Sequence, residues 1–156
     1  MTDKRDGMNY APKGKQNRVV GPGEFRFAAI GLDHGHIYGM CNGLIEAGGE
    51  LAAVYDPDPA KVERFLAAFP GTKAARSEQE ILQDASIRLI ASACVPSERC
   101  ALGLRAHDHG KHFFADKPAF TTLEQLEMAR RKVRETGLKW GIYYSERLHV
   151  ECAVYA

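Results

Sequence analysis

From Phe25 onward the chain alternates short apolar runs with longer amphipathic segments, and no other feature limits its fold as much. "FRFAAIG", "ELAAVYD", "IRLIASAC", "KHFFAD" and "LKWGIYYS" read as strands, with a shorter one near "KAAR". "IRLIASAC" is apolar enough to be buried on both faces. Between the strands lie helical segments with recognisable ends. "HIYGMCNGLIEAG" closes at Gly48 and Gly49, and "DPAKVERFLAAF" has Asp58 as N-cap with Pro59 just inside. "PSERCALGLRAHDHG" begins at Pro96 and stops at Gly110. Ser77 with Glu80, and Thr122 with Gln125, have capping-box spacing ahead of "SEQEILQD" and "LEQLEMARRKVRET". In the last helix Leu123, Leu126, Ala129 and Val133 form the expected apolar stripe, ended by Gly137. Each strand–helix–strand unit returns the chain parallel to itself through a right-handed crossover. The pattern therefore predicts an α/β fold: a doubly wound parallel sheet in a three-layer α/β/α arrangement.

With 156 residues, the chain suffices for one domain with a real core. A formal net charge of +1 favours neither nucleic acid nor an anionic membrane, and no basic stripe interleaved with aromatics appears. No apolar run approaches membrane-spanning length. Residues 1–23 are polar, carry Gly and Pro, and lack a signal-peptide core, so they read as a flexible tail of a cytoplasmic protein. Residues 24–147 read as the domain and 148–156 as the start of a further helix. The four cysteines, Cys41, Cys94, Cys100 and Cys152, are scattered and read as reduced thiols.

In sheets of this kind ligands bind beyond the carboxyl ends of the strands, where strand order reverses. The turns after Gly31, Cys94 and Asp116 should therefore share one rim. "GLDHGHIYG" keeps the first glycine of a dinucleotide fingerprint, but Asp33 and His36 replace the second and third. The backbone from Leu32 through Asp33 and His34 to Gly35, at a helix N-terminus, would receive a pyrophosphate. Asp56 ends the second strand, roughly 20 or more residues on, where a ribose-binding acid is expected. Its charge would repel a 2′-phosphate, favouring NAD over NADP, although Asp before Pro is also an ordinary turn residue. In "ADKPAF", Lys117 could orient a substrate hydroxyl or assist its proton transfer, or be an ordinary solvated loop lysine.

The histidines raise a metal hypothesis through the D-H-x-H of Asp33, His34 and His36, and through His107, His109 and His112. The second group belongs at the opposite, amino edge of the sheet. There His107 and His109 suit a helix C-terminus, where a partly protonated imidazole is favoured. No metal site is expected. Cys94 and Cys100, with no residue to act as base, read as inert packing.

Taken together, Gly31, Asp56, "VPSERC", "HGKHFFADKP" and "YYSERL" resemble the Gfo/Idh/MocA oxidoreductases, the glucose–fructose oxidoreductase and inositol dehydrogenase family. The resemblance runs from Phe25 to the C-terminus in the family's order and spacing. Its most specific part is the strand ending in Asp116-Lys117-Pro118, where the family has Glu-Lys-Pro. It implies a Rossmann fold that binds NAD, with NADP less favoured, and hydride transfer to or from a sugar- or cyclitol-like secondary alcohol. By resemblance, Lys117 is the substrate-contacting, catalytic lysine. Pro118 fixes its loop, through a cis peptide bond where the family has one, and Asp116 joins it at the cofactor. Val95 and Pro96 form the loop along the nicotinamide. Ser97 and Cys100 depart from the family's usual Asn and His. The family continues into a second α/β domain that carries most substrate contacts and the usual dimer surface, so the resemblance implies an incomplete active site here. The partners it implies are a nicotinamide dinucleotide, a small polyol or sugar, and another copy of the chain. A non-catalytic NAD(H)-binding sensor is the alternative.

Overall fold

Alternate residues of the first strand face opposite ways into two separate cores, which is what a sheet covered on both faces requires. The computed structural model describes residues 18–144. The elements are β1 (Arg26–Ile30), α1 (His36–Glu46), β2 (Glu50–Tyr55), α2 (Pro59–Ala68), β3 (Lys73–Ala74), α3 (Glu78–Gln83), β4 (Ile87–Ser92), α4 (Pro96–Asp108), β5 (His112–Asp116), α5 (Leu123–Thr136) and β6 (Trp140–Tyr143). Phe27 and Ala29 pack with Ile37, Met40, Val54 and Phe65 under α1 and α2. Ala28 and Ile30 pack with Ile81, Ile90, Leu102 and Phe113 under α3 and α4. The six strands are all parallel, in the order β3-β2-β1-β4-β5-β6. The doubly wound sheet inferred from the alternation is present. Strand order reverses between β1 and β4, which sets the carboxyl ends of β1, β2, β4 and β5 along one rim.

Local sequence explains the element ends. The Asp58 carboxylate accepts the Ala60 N–H (2.9 Å) at the start of α2, with Pro59 in its first turn. Ser77 and Thr122 cap α3 and α5 by accepting from Glu80 N–H and Gln125 N–H. The return half of each expected capping box differs. The Glu80 carboxylate accepts the N–H of Arg76 (2.9 Å), and the Gln125 side chain accepts that of Thr121 (2.8 Å). Each bond thus lands on the residue before the cap rather than on the cap itself. The stripe expected on α5 is also narrower. Leu123 is 77% exposed, and the buried contact rests on Ala129 with Leu126 and Val133 half-buried.

Residues 18–23, assigned above to the tail, meet the end of α1, where the Val19 N–H donates to the Ala47 carbonyl (2.9 Å). The rest of that tail, and the further helix expected at 148–156, lie outside the described residues. Among the described residues no helix is long and apolar enough to cross a membrane.

Candidate functional site

Gly31 takes φ +78°, a conformation that L side chains rarely adopt. A Cβ there would sit 2.5 Å from the Cys94 Cβ, so the close approach of the β1 and β4 ends also demands glycine. The Gly31 N–H donates to Tyr55 O and its carbonyl accepts from Ala93 N–H (both 3.1 Å), pinning the turn between β2 and β4.

The N–H groups that follow are divided between the protein and open space. Leu32 gives its N–H to Asp56 Oδ2 (2.7 Å), and His34 gives its own to Ala93 O (3.1 Å). Those of Asp33 and Gly35 have no acceptor among the described residues. Gly35 is the N-cap of α1 without a side-chain cap, and a Cβ on it would meet nothing within 4 Å. The His36 N–H is taken by His34 Nδ1 (3.2 Å), and the helix end is otherwise open and electropositive, with the Asp33 and Gly35 N–H groups left for an anion.

Asp33, the substitution that most weakens the fingerprint, is turned aside and neutralised. Its Oδ1 accepts from Lys61 Nζ at 2.6 Å and its Oδ2 from the Val95 N–H at 3.2 Å. The hydrogen bond to Asp33 raises the Lys61 pKa above its ordinary value. Lys61 lies one helical turn beyond Asp58. The sequence marks it only as an exposed helix lysine, so its role was not foreseen.

Asp56 is buried. Its Oδ2 accepts Leu32 N–H and its Oδ1 accepts Asp58 N–H (2.9 Å), with Lys61 Nζ 3.7 Å from Oδ1. Asp56 therefore holds the first turn to the second. A carboxylate has about four acceptor positions, so two remain beyond these backbone bonds. A cleft of about 440 Å3 runs beside it, lined by Ile30, Gly31, Asp33, Asp56, Val95 and Leu102 among others, within the size range of small-molecule sites.

The other end of the rim is organised by Asp116, whose side chain is 2% exposed. Its Oδ1 accepts the Lys117 N–H (2.8 Å) and pairs with His36 Nδ1 (2.9 Å). Its Oδ2 lies 3.3 Å from Arg99 Nη2 and 3.7 Å from His34 Nδ1. Arg99 is itself buried and donates to the carbonyls of Cys94 (2.7 Å) and Pro118 (2.9 Å), joining the β4–α4 turn to the loop after β5. The Lys117–Pro118 bond is cis. Val95 is the half-exposed N-cap of α4 and Pro96 its first residue.

Arg99 was missed because an arginine within "VPSERC" reads as a surface helix residue. The approach of Asp116 to His34 and His36 was missed because it spans β4, a neighbour relation that local spacing does not encode. Of the D-H-x-H group, Asp33 turns toward Lys61, and Asp116 comes to the histidines in its place.

His107, His109 and His112 stand at the amino edge, as expected. The charge expected for His107 is corrected: burial lowers its pKa, and its ring packs 5.3 Å from Trp140, so burial favours the neutral form. Cys41, Cys94 and Cys100 are buried free thiols, with burial raising each pKa, that of Cys41 to about 12.

A family model described as an oxidoreductase family with an NAD-binding Rossmann fold, GFO_IDH_MocA, matches residues 19–144. A curated relative, scyllo-inositol 2-dehydrogenase (NAD(+)) of Bacillus subtilis (strain 168), is 28% identical over 125 residues, covering 80% of this chain and 36% of that protein. A solved oxidoreductase candidate from Erwinia carotovora atroseptica SCRI1043 is 48% identical with a TM-score of 0.80, covering 85% of this chain and 40% of that one. A candidate myo-inositol dehydrogenase from Sinorhizobium meliloti 1021 is 25% identical with a TM-score of 0.69, covering 79% and 37%. The chain thus spans well under half the length of each of these relatives.

Proposed function

Because the chain belongs to the Gfo/Idh/MocA oxidoreductase family, whose NAD-binding Rossmann model spans residues 19–144, we propose that it is the nucleotide-binding part of an NAD-dependent dehydrogenase acting on a secondary alcohol of a cyclitol or sugar. The observation that carries this reading is the open N-terminus of α1. The unpartnered Asp33 and Gly35 N–H groups lie there, and Asp33 also lines a cleft that reaches Asp56. The residues present fit a dinucleotide, since the carboxylate within the turn itself, Asp33, is already paired with Lys61.

When bound, the nicotinamide supplies the hydride chemistry. The chain's own residues position it and the substrate. Gly31 admits close approach of the turn, and Asp33 and Gly35 donate N–H groups to the pyrophosphate. His34 and Leu32 hold the turn's shape through their bonds to Ala93 and Asp56. The remaining acceptor positions of Asp56 take ribose hydroxyls, which favours NAD over NADP. Val95 and Pro96 border the nicotinamide end. Asp116 and Pro118 hold the loop from which Lys117 contacts the substrate hydroxyl.

Family resemblance and the inositol dehydrogenase relatives support the substrate class. The test is thermal stabilisation by the two dinucleotides. NAD at saturation should raise the melting temperature more than NADP does, and Asp56→Ala should abolish that difference even if the variant melts lower. A larger shift with NADP in the wild-type chain would refute the assignment of Asp56.

A further inference from the structure

The cluster of His34, His36 and Asp116 does more than the dinucleotide reading asks of it. The two imidazoles stand with centroids 4.1 Å apart, and one ligand atom from each of the three side chains lies within 4.8 Å of the others. Zinc binds nitrogen and oxygen donors at about 2.0–2.2 Å. Donors sharing one ion therefore stand about 3 to 3.5 Å apart in the angles such ions adopt. The observed separations are 2.9 Å from His36 Nδ1 to Asp116 Oδ1 and 3.7 Å from His34 Nδ1 to Asp116 Oδ2, and an ion would displace the His36 N–H that His34 Nδ1 now accepts at 3.2 Å. We infer that His34, His36 and Asp116 form a binding site for a borderline divalent cation such as Zn2+ or Co2+, at the rim of the sheet beside Lys117.

Three features support it. The donor set, two imidazoles and one carboxylate, suits borderline transition ions over Mg2+ or Ca2+, which prefer all-oxygen surroundings. The side chains also grade from floor to mouth: Asp116 is 2% exposed, His36 28% and His34 56%. The ion would thus be held from below and keep open positions toward solvent. Finally, the supporting residues are in place. Arg99, fixed by two backbone carbonyls, holds Asp116 at Oδ2, the Lys117 N–H holds Oδ1, and Tyr143 packs edge-on against His36 at 5.8 Å. The ion takes the place of the proton shared by His36 Nδ1 and Asp116 Oδ1, while Arg99 stays on the other oxygen. A cation there can polarise an oxygen brought to the rim.

The inference does not depend on dinucleotide binding, and its test uses the metal alone. The purified chain, stripped with a chelator, is titrated with Co2+ while its visible ligand-field bands are followed. Zn2+ is then measured by competition with a chromophoric chelator. One ion per chain is expected, with a dissociation constant of about 10 μM or tighter. His34→Ala and His36→Ala should each weaken it at least about tenfold, whereas His109→Ala at the opposite edge should leave it unchanged. His34 is the more exposed ligand, so its removal keeps the test valid even if His36→Ala misfolds. Absence of binding below about 1 mM, or binding that survives both substitutions, overturns the site. A parallel NAD titration in chelator separates the two readings, since NAD binding without metal binding removes only this inference.

Discussion

Asp56→Asn is the substitution that most sharply separates a turn-holding carboxylate from a merely ribose-facing one. The side chain is 2% exposed and accepts two backbone N–H groups, at 2.7 and 2.9 Å. Asparagine has the same shape but offers one acceptor oxygen and turns an NH2 toward the other donor. A hydrogen bond to a charged group contributes about 1.5–3 kcal/mol and a neutral one about 0.5–1.5 kcal/mol, while a buried unsatisfied donor costs about 1–3 kcal/mol. Losing one charged bond and weakening the other should therefore destabilise the chain by about 3 kcal/mol. With a urea m-value of about 1.5 kcal/mol/M, the unfolding midpoint should fall by about 2 M. Lys61→Met is the control: its ammonium is partly solvated, so removing it should cost less than about 1 kcal/mol. A midpoint for Asp56→Asn within about 0.3 M of wild type, with m unchanged, would refute this role for the carboxylate.

Arg99→Met should destabilise by about 3–5 kcal/mol, because it strands the buried Asp116 carboxylate. Adding Asp116→Asn should recover part of that loss in a denaturant double-mutant cycle, and strictly additive effects would contradict the coupling. Iodoacetamide at pH 8 should leave Cys41, Cys94 and Cys100 unmodified in the native chain, since burial both hides the thiols and raises their pKa values. Peptide mapping that finds rapid alkylation at any of the three counts against this. For pH, burial lowers the pKa values of His107 and His112 in the folded state. The unfolded chain then binds more protons, so stability is full above the unfolded value of about 6.5 and declines as pH falls through it toward the folded values. His107→Gln should flatten that decline, and an unchanged slope would show that His107 is not its source.

Elements whose cause is local were legible in the sequence. The strands are short apolar runs between turn residues, and their parallel order follows from the intervening helices, so the rim could be placed from Gly31, Cys94 and Asp116. Asp58 and Pro59 start α2 where their chemistry says they should. Features with non-local causes were not legible. Leu123 has the right spacing for a buried stripe, yet no neighbouring element among the described residues covers it, and it is 77% exposed. Asp33 reads as an obstacle to a phosphate until Lys61, from the next helix, is seen to pair with it. The Asp116–His36 pair links segments on either side of β4, the Arg99 bridge joins the β4–α4 turn to the loop after β5, and only the strand order brings these together.

Calorimetric titration of the purified chain with NAD and with NADP decides whether the Gly31 turn, with the open end of α1, receives a dinucleotide. One NAD per chain is expected, bound more tightly than NADP. A chain that takes up neither, with no heat and no stabilisation from either dinucleotide, would contradict it.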